Sequence, residues 1–321
     1  MKTSTIKTIA VVGTGYMGGG IAQCLALTGR KVYLTDADPL RAQQARARLL
    51  EESAAFEQAA LFPEGSTATL ETNLVAADSI EAVGREVDYV AEVVPENLAL
   101  KLDVLKRIEA AVRPDCIIAS NTSAIPIREM ARALETPQRL FGVHWMNPAP
   151  FVPAVEIIPG EGTPEAMLEA AEALVQEAGK VTARVADVAG FVANRLQFAL
   201  FKEAVAVVEE GLATPEDVDK VVSNSFGFRL ALFGPFAIAD MAGLDVYAAS
   251  YTSLEKQYGP RFTVPAGLKA RVDAGDFGLK SGGGFLGIAP AAAKPLAAYR
   301  NRAYQSLMQL RKTLGAPPFE G

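Results

Sequence analysis

A glycine-rich loop near the start of the chain joins a buried strand to a helix. The strand, residues 8–12, is short, apolar and β-branched, and the pattern after the loop is helical until Gly29. The loop itself reads GTGYMG at residues 13–18. Glycines at this spacing permit a tight turn and let backbone N–H groups approach a pyrophosphate at the start of the helix. By itself the motif is weak, because any glycine-rich turn can produce it.

An acidic residue after the second strand makes the glycine loop more specific. Residues 31–35 form the second apolar run, and Asp36 follows it, 23 residues after Gly13. In dinucleotide-binding folds an acid about 20 residues beyond the glycines binds the adenosine ribose. A carboxylate at this place repels the 2′-phosphate of NADP. The sequence therefore predicts a dinucleotide site that takes NAD as its cofactor.

Strand and helix patterns alternate over the first part of the chain and then stop alternating. Further strands are predicted at residues 88–94, 116–119, 141–145, 155–158 and 181–185, with helices between most of them. From residue 188 onward only helical patterns remain. Strands that alternate with helices form a doubly wound, largely parallel sheet. We therefore predict an α/β protein with a Rossmann-type doubly wound sheet in residues 1–187, followed by an all-helical C-terminal domain in residues 188–321. A length of 321 residues agrees with two domains.

Composition narrows the class of protein further. The net charge is −6 and the pI is about 5.1, so the chain lacks the basic surface that nucleic-acid binding requires. No apolar run reaches membrane-spanning length, and no signal-peptide pattern is visible. Cys24 and Cys116 lie in apolar surroundings and indicate buried thiols in a reducing compartment. We expect a cytoplasmic protein that binds neither nucleic acid nor membrane. We expect no metal site, since one histidine and two separated cysteines make one improbable.

The only histidine of the chain, His144, is the first candidate for acid–base chemistry. It lies near the end of an apolar run, a proline-rich turn follows, and a second apolar run then carries Glu156. If the two runs pair as antiparallel strands, the imidazole and the carboxylate can meet. Such a pair suits proton transfer near neutral pH, because the carboxylate orients the ring and stabilises its protonated form. The alternative is a core histidine bonded to a backbone carbonyl.

Polar side chains also follow other predicted strands and the expected domain junction. Glu96 and Lys101 come after the strand at 88–94, at the edge of a parallel sheet where ligands bind. Ser123 follows the next strand, and Asn194 begins the first helix of the second domain. Each has a structural alternative: an ion pair between Glu96 and Lys101, a helix cap near Ser123, and a hydrogen bond between domains at Asn194.

These motifs occur in the order found in 3-hydroxyacyl-CoA dehydrogenases, and the chain resembles that family over residues 6 to about 287. The resemblance rests on the glycine loop with Asp36, the group of Glu96 and Lys101, Glu156, and residues 120–123, 144–148, 190–195, 234–236 and 278–285. It implies an NAD-dependent dehydrogenase of fatty acid metabolism. It also implies a Rossmann-type domain followed by a helical domain that forms a homodimer.

The resemblance implies a role for each site residue. His144 would be the base that takes the hydroxyl proton while hydride leaves the adjacent carbon for NAD, and Glu156 would orient the imidazole and stabilise its cation. Ser123 and Asn194 would hydrogen-bond the substrate oxygen and the imidazole. The residues expected to bind the cofactor are Gly13, Gly15, Tyr16, Met17, Gly18, Asp36, Glu96, Lys101 and Lys280.

The substrate is left open between alternatives. The family implies a short-chain L-3-hydroxyacyl-CoA, but its acyl-CoA members place lysine and serine after the ribose-binding acid to hold the CoA phosphates. This chain has no lysine between Lys31 and Lys101. Arg229 resembles an arginine of relatives that act on small free hydroxy acids, such as gulonate and carnitine dehydrogenases, and a guanidinium suits a carboxylate. An intersubunit salt bridge is the other use for Arg229. A third interpretation is a dinucleotide-binding protein without catalysis. The intact set of site residues argues against this interpretation.

Overall fold

The computed structural model describes residues 3–316 of the chain. The chain forms two compact units, Met1–Phe201 and Lys202–Gly321. The division between them falls inside one long helix, Ala193–Glu209. The domain limits that the sequence predicts, 1–187 and 188–321, stay a prediction.

The first unit contains a single sheet, with eight strands among the described residues in the order β3-β2-β1-β4-β5-β6-β7-β8. The strands are β1 Thr8–Val12, β2 Lys31–Thr35, β3 Leu74–Ala76, β4 Tyr89–Glu92, β5 Ile117–Ser120, β6 Leu140–Trp145, β7 Ala154–Ile158 and β8 Val181–Arg184. β6 and β7 pair antiparallel, and the other neighbouring strands are parallel. The strand order reverses between β1 and β4. Such a reversal opens a crevice at the carboxyl edge of the sheet, where ligands bind.

Helices cover both faces of this sheet. They are α1 Tyr16–Ala26, α2 Pro39–Gln58, α3 Ser66–Asn73, α4 Ile80–Val83, α5 Leu98–Ala111, α6 Ile127–Ala131, α7 Glu165–Glu177 and the start of α8 Ala193–Glu209. Because side chains alternate across a strand, β1 sends Ile9 and Val11 into one apolar core and Ala10 and Val12 into another. α1, α2 and α7 complete the first core, and α4, α5 and α6 complete the second. The predicted doubly wound α/β fold is confirmed.

The second unit is helical throughout the residues of it that the structure describes. Its further helices are α9 Pro215–Asn224, α10 Phe226–Leu230, α11 Pro235–Ala242, α12 Leu244–Tyr258, α13 Ala266–Asp273 and α14 Ala293–Leu314. Thr214 caps α9, because its hydroxyl accepts a hydrogen bond from the Asp217 N–H at 3.2 Å. A small core of Ala239, Leu244 and Leu268 holds the middle helices together. The predicted all-helical C-terminal region is therefore confirmed.

The sequence pattern does not predict β3. This strand has three residues, of which Leu74 alone is fully buried, so no alternation is visible. Arg46 of α2 fastens the strand from a distance, since its guanidinium donates to the carbonyls of Leu74 at 2.7 Å and Glu71 at 2.8 Å. A contact between residues so far apart in sequence leaves no local signal.

The two cysteines lie in the apolar interior of the first unit. Cys24 and Cys116 are buried free thiols. Burial raises the pKa of Cys24 to about 11 and that of Cys116 to about 12, so both thiols stay protonated near neutral pH. Within residues 3–316 no helix is both long and apolar enough to cross a membrane. The same residues contain no group of three or more histidine, cysteine or acidic side chains arranged to hold a metal ion.

Candidate active site

The antiparallel pairing of β6 and β7 sets His144 directly opposite Glu156. Opposite residues of such a pair project to the same face, with their Cβ atoms about 5 Å apart. The imidazole Nδ1 lies 2.9 Å from Glu156 Oε2, and the two residues are only 4% and 5% exposed. The residues that the sequence singles out for proton transfer therefore form a buried pair. The alternative of a core histidine whose Nδ1 meets a backbone carbonyl does not apply.

The second oxygen of Glu156 is held by the start of α8. Its Oε1 accepts hydrogen bonds from the backbone N–H groups of Val192 at 3.0 Å and Ala193 at 2.9 Å. Burial by itself would raise the pKa of Glu156, but the bonds from His144 and from these two N–H groups outweigh it, and the pKa lies below its ordinary value. Glu156 is therefore an anion at neutral pH, and the positive end of the helix dipole favours that charge.

A turn with left-handed backbone aims these N–H groups at the carboxylate. Gly190 and Phe191 have φ angles of +73° and +47°. A left-handed conformation costs a non-glycine residue about 1–2 kcal/mol, so the surroundings must hold Phe191 in place. Its buried ring lies 5.6 Å from the imidazole, centroid to centroid. The sequence does not single out Phe191 as a site residue, although glycine before a large apolar residue at the start of a helix was the available signal.

Glu96 organises the loop after β5, and this loop reaches the start of α8. Its Oε1 accepts hydrogen bonds from the Thr122 hydroxyl at 2.6 Å and from the N–H groups of Ser123 and Ala124 at 3.1 and 2.9 Å. Burial would raise the pKa of Glu96, yet the bonds from Thr122 and Ala124 and the charge of Lys101 lower it. The Ser123 carbonyl accepts from Asn194 Nδ2 at 3.1 Å. The structure thus brings Glu96, Ser123 and Asn194 together, while their roles toward ligands stay predictions.

A cavity of about 820 Å³ opens beside the glycine loop, between the carboxyl ends of β1 and β4. Gly13 has a left-handed φ of +97°, and a Cβ there would lie 2.7 Å from the Val93 carbonyl oxygen. A Cβ on Gly18 would lie 1.9 Å from the Gly13 carbonyl oxygen. At Gly15, by contrast, no described atom other than those of Gly15 and its two chain neighbours lies within 4 Å of the Cβ position. The backbone at Gly15 is therefore open to the cavity, as the close approach of a pyrophosphate requires.

The walls of this cavity carry the chemistry that a dinucleotide needs. They include the predicted cofactor residues Gly13, Gly15, Tyr16, Met17, Gly18 and Asp36. They also include Arg41 and Arg48 of α2. The Arg48 guanidinium donates to the Thr14 carbonyl at 3.1 Å, which puts positive charge beside the glycine loop. These residues fit a ligand with two phosphates and a ribose.

Asp36 is tied to the glycine loop. Its Oδ2 accepts hydrogen bonds from the Thr14 N–H at 2.8 Å and the Thr14 hydroxyl at 2.7 Å, and its Oδ1 accepts from the Ala37 N–H at 2.8 Å. Burial would raise the pKa of Asp36, but these bonds and the nearby Arg41 lower it. The carboxylate is therefore charged at neutral pH, as an acid that repels a 2′-phosphate must be.

Replacing Asp36 with alanine is expected to weaken NADH binding by about 10- to 100-fold and NADPH binding much less, because a bond to a charged group contributes about 1.5–3 kcal/mol. Fluorescence titration with each reduced cofactor measures both dissociation constants. Asp38→Ala is the matched control, since Asp38 caps α2 through the Leu40 N–H and is not part of the cavity wall. A larger loss of affinity for NADPH than for NADH would overturn the role given to Asp36.

Three other predicted residues have different surroundings. Lys101 is 1% exposed, and its ammonium donates to Glu92 Oε1 at 2.8 Å. Lys280 belongs to the second unit, where it pairs with Asp245 at 2.9 Å. Arg229 is half-buried in α10, and among the described residues its guanidinium has no hydrogen-bond or ion-pair partner. Binding of cofactor or substrate by these residues stays a prediction.

The doubly wound sheet, the glycine loop and the acid after β2 define a dinucleotide-binding protein. Residues 8–188 match the family model described as 3-hydroxyacyl-CoA dehydrogenase, NAD binding domain. Residues 190–287 match the C-terminal domain of the same family. The chain belongs to the 3-hydroxyacyl-CoA dehydrogenase family, and NAD is its cofactor.

This chain is similar to proteins whose names specify either a pyridine carboxylate or a hydroxyacyl-CoA. The 5-formyl-3-hydroxy-2-methylpyridine 4-carboxylate 5-dehydrogenase of Mesorhizobium japonicum is 35% identical over 311 residues, which cover 96% of this chain and 98% of that protein. A probable 3-hydroxybutyryl-CoA dehydrogenase of Bacillus subtilis is 35% identical over 281 residues, 87% of this chain and 96% of that protein. The crystal structure of a 3-hydroxyacyl-CoA dehydrogenase from Archaeoglobus fulgidus has a TM-score of 0.78 at 30% identity, and covers 96% of this chain and 99% of that one. The chain is thus an NAD-dependent dehydrogenase of the 3-hydroxyacyl-CoA and hydroxy acid class.

Proposed function

We propose that this chain oxidises the hydroxyl group of a 3-hydroxyacyl compound to a ketone, with His144 as the base. The observation that carries the proposal is the 2.9 Å bond between the imidazole Nδ1 and Glu156 Oε2. When Nδ1–H donates to this carboxylate, the neutral ring offers the lone pair of Nε2 as a proton acceptor. His144 is the only histidine of the chain, so no second imidazole competes for the role.

The proton and the electron pair of the reaction go to different acceptors. NAD held beside Gly13, Gly15 and Asp36 would supply the acceptor for the hydride that leaves the carbon carrying the hydroxyl. His144 Nε2 takes the hydroxyl proton, so the O–H bond breaks as the C=O bond forms. Glu156 stabilises the resulting imidazolium, and the backbone N–H groups at the start of α8 keep Glu156 ionised and in place. In the reverse direction the imidazolium returns its proton to the forming alkoxide. We assign Ser123 and Asn194 to hydrogen bonds with the substrate oxygen and the imidazole.

A short-chain L-3-hydroxyacyl-CoA is the first substrate that we propose. Membership of the family supports it, as does similarity to the Bacillus subtilis protein, whose name specifies 3-hydroxybutyryl-CoA. The test is NADH formation, followed by absorbance, with 3-hydroxybutyryl-CoA and with free hydroxy acids. Turnover of free acids without turnover of the CoA ester would reject this substrate and leave the second candidate.

A small hydroxy acid with a free carboxylate is the second candidate, and similarity to a relative named for a carboxylate supports it. The Mesorhizobium japonicum relative, whose name specifies a pyridine carboxylate, matches 96% of this chain and so includes most of α14. That helix lies beyond the C-terminal family match, which ends at residue 287. Its Tyr304 ring lies 5.6 Å from that of Phe228, and its Arg311 donates to the Ser223 carbonyl at 3.2 Å. Helix α14 therefore braces the segment in which Arg229 adjoins Phe228.

If the substrate carries a free carboxylate, Arg229→Ala is expected to raise its KM by about 10- to 100-fold, because a charge-assisted bond contributes about 1.5–3 kcal/mol. The KM for 3-hydroxybutyryl-CoA is expected not to change. Steady-state kinetics with the two substrates give the comparison, and Arg302→Ala, at an exposed position of α14, is the control. Equal effects of Arg229→Ala on both substrates would exclude a carboxylate-binding role.

We also propose that the chain pairs with a second copy through its helical part. Helix α8 has no buried residue, and its Leu196, Phe198 and Phe201 are 58%, 62% and 64% exposed. Large exposed apolar surfaces of this kind mark interaction sites. The homodimer, the cytoplasmic location and the role in fatty acid metabolism stay predictions.

A further inference from the structure

Lys180 is a buried cation that directly precedes β8, and it is only 7% exposed. Its Nζ donates to the carbonyls of Pro150 at 2.9 Å and Val152 at 3.0 Å, and it lies 5.9 Å from the centre of the Trp145 ring. Among the described residues no carboxylate pairs with it, and burial lowers its pKa below the ordinary value. Burying a charge costs free energy unless its contacts offset that cost. We therefore expect Lys180 to do more than fill space.

The two carbonyls that Lys180 binds belong to the turn between β6 and β7, the strands of the candidate active site. This segment, residues 146–153, contains three prolines and is called the hairpin turn below. Proline has no N–H group to donate. The N–H groups of Phe151 and Val152 both donate to the Pro148 carbonyl, at 3.1 and 3.0 Å. The carbonyls that follow Pro148 therefore depend on donors from outside the turn.

Donors from two other elements reach the hairpin turn. The Cys24 thiol of α1 donates to the Ala149 carbonyl at 3.6 Å. The N–H of Val181, the first residue of β8, donates to the Pro153 carbonyl at 2.8 Å. The thiol is a weak donor, whereas an ammonium is a strong one. Lys180 is therefore the strongest of these attachments, and it holds two carbonyls at once.

The position of the hairpin turn matters because His144 and Glu156 lie close to it. In the antiparallel ladder of β6 and β7, only the pair of Trp145 and Val155 separates them from the turn. Strands open most easily at their ends. If the turn loosened, opening of one further pair would part the imidazole from the carboxylate.

We propose that Lys180 is a positioning residue that clamps the hairpin turn and thereby keeps His144 in register with Glu156 for proton transfer. An apolar side chain of similar length could fill the same volume, but it would leave the carbonyls of Pro150 and Val152 without their donor. Lys180 acts through the strand pair and does not contact the reacting atoms. The proposal rests on the proposed function, in which His144 is the base.

The test compares the wild type with Lys180→Met in the full-length protein. Because the chain has one histidine, the proton on His144 Nδ1 gives one NMR signal, and its exchange with water reports how often the pair with Glu156 opens. Exchange is expected to be about 10- to 100-fold faster in Lys180→Met, since bonds from a charged donor change a local equilibrium by about that much. We expect kcat to fall by about 10-fold, while KM and the dissociation constant of NADH stay close to those of the wild type.

Arg46→Met is the matched control. Arg46 is a cation that also donates to two backbone carbonyls, those of Leu74 and Glu71, but it secures β3 at the opposite edge of the sheet from β8. Its loss is expected to lower the thermal midpoint and to leave both the exchange of the His144 proton and kcat unchanged.

Two further variants of Lys180 complete the design. Lys180→Arg is expected to restore part of the slow exchange and part of kcat, because a guanidinium keeps the charge and the N–H donors. Lys180→Gln keeps N–H donors without a charge to bury. Should Lys180→Met fail to fold, Lys180→Gln takes its place with the same measurements, and a smaller increase in exchange is expected.

Three results would overturn the proposal. The first is wild-type exchange of the His144 proton in the folded variant. The second is faster exchange with wild-type kcat, which would leave Lys180 as a structural clamp without a part in the reaction. The third is an equal effect of Arg46→Met, which would mean a general loss of stability. Failure of the proposed function is a separate result, because His144→Gln would then keep its turnover while the exchange measurement still reports the clamp.

Discussion

Replacing His144 with glutamine is expected to leave NADH binding intact and to lower turnover by about 10²- to 10⁴-fold, the usual contribution of a positioned acid–base group. A glutamine amide can still hydrogen-bond Glu156, but it cannot accept the hydroxyl proton. The cofactor cavity is lined by other residues, so the dissociation constant of NADH should not change. Absorbance assays of NADH formation and fluorescence titrations measure the two quantities.

The control for His144→Gln is Tyr89→Phe, a conservative change of a buried side chain in β4. Its turnover is expected to match the wild type. Because the chain has one histidine, loss of activity in His144→Gln cannot be assigned to any other imidazole. Unchanged turnover in this variant would eliminate His144 as the base and with it the proposed mechanism.

Glu156→Gln is expected to lower turnover on the order of 10²- to 10⁴-fold, although it changes little in volume. Glu156 accepts from the imidazole on one side and from the N–H groups of Val192 and Ala193 on the other. A glutamine has one oxygen to offer. If the oxygen faces the ring, the amide NH₂ opposes two N–H donors; if it faces those donors, the NH₂ opposes Nδ1 and moves the proton to Nε2. The second arrangement removes the base, and steady-state kinetics at saturating NAD measure the loss.

The same variant is expected to unfold more easily by about 1–3 kcal/mol at neutral pH, because it loses hydrogen bonds to a charged group. The pKa of Glu156 is lowered in the fold, so its ionised form contributes stability that is present above the ordinary range of a glutamate, near 4.3. That contribution disappears as the pH falls through the lowered pKa. The deficit of Glu156→Gln relative to wild type should therefore shrink toward acid pH in urea-unfolding measurements.

Glu177→Gln is the matched control for Glu156→Gln. The pKa of Glu177 is also lowered: burial would raise it, but the Ser4 N–H and Arg30 outweigh that effect. Glu177→Gln should therefore lower the free energy of unfolding with the same pH dependence as Glu156→Gln, and it should leave turnover unchanged. If both variants kept full turnover, or if the deficit of Glu156→Gln grew toward acid pH, the ionised state assigned to Glu156 would be wrong.

The elements around the cofactor cavity could be predicted because their signals are local. β1 and β2 have the bounds that their apolar runs predict, since a parallel strand covered on both faces must be apolar on both. The glycine loop and Asp36 could be predicted because their signals are also local. The tight turn requires the glycines, and the expected ribose contact requires an acid after the second strand. The short edge strand β3 has no such signal and depends on Arg46 for its place.

Glu92 shows what could not be predicted from the sequence. It lies in an apolar run, and nothing in the sequence shows whether its carboxylate is buried or exposed. The Lys101 ammonium and the Ser120 hydroxyl that satisfy its charge come from 9 and 28 positions away. Lys101 is predicted as a cofactor ligand from its place after a strand, and that role stays a prediction. Only the fold shows that its ammonium also donates to Glu92 and Val94.

By itself the sequence determined the order of strands and helices apart from β3, the dinucleotide loop, NAD as the cofactor and the identity of the one imidazole, because these depend on residues that are neighbours along the chain. The tertiary structure decided how the acid and the base are used. It set Glu156 opposite His144 through strand register, and it brought the Val192 and Ala193 N–H groups to the carboxylate from 36 and 37 positions away. Such contacts arise from the packing of whole elements, and local propensity has no influence over that distance.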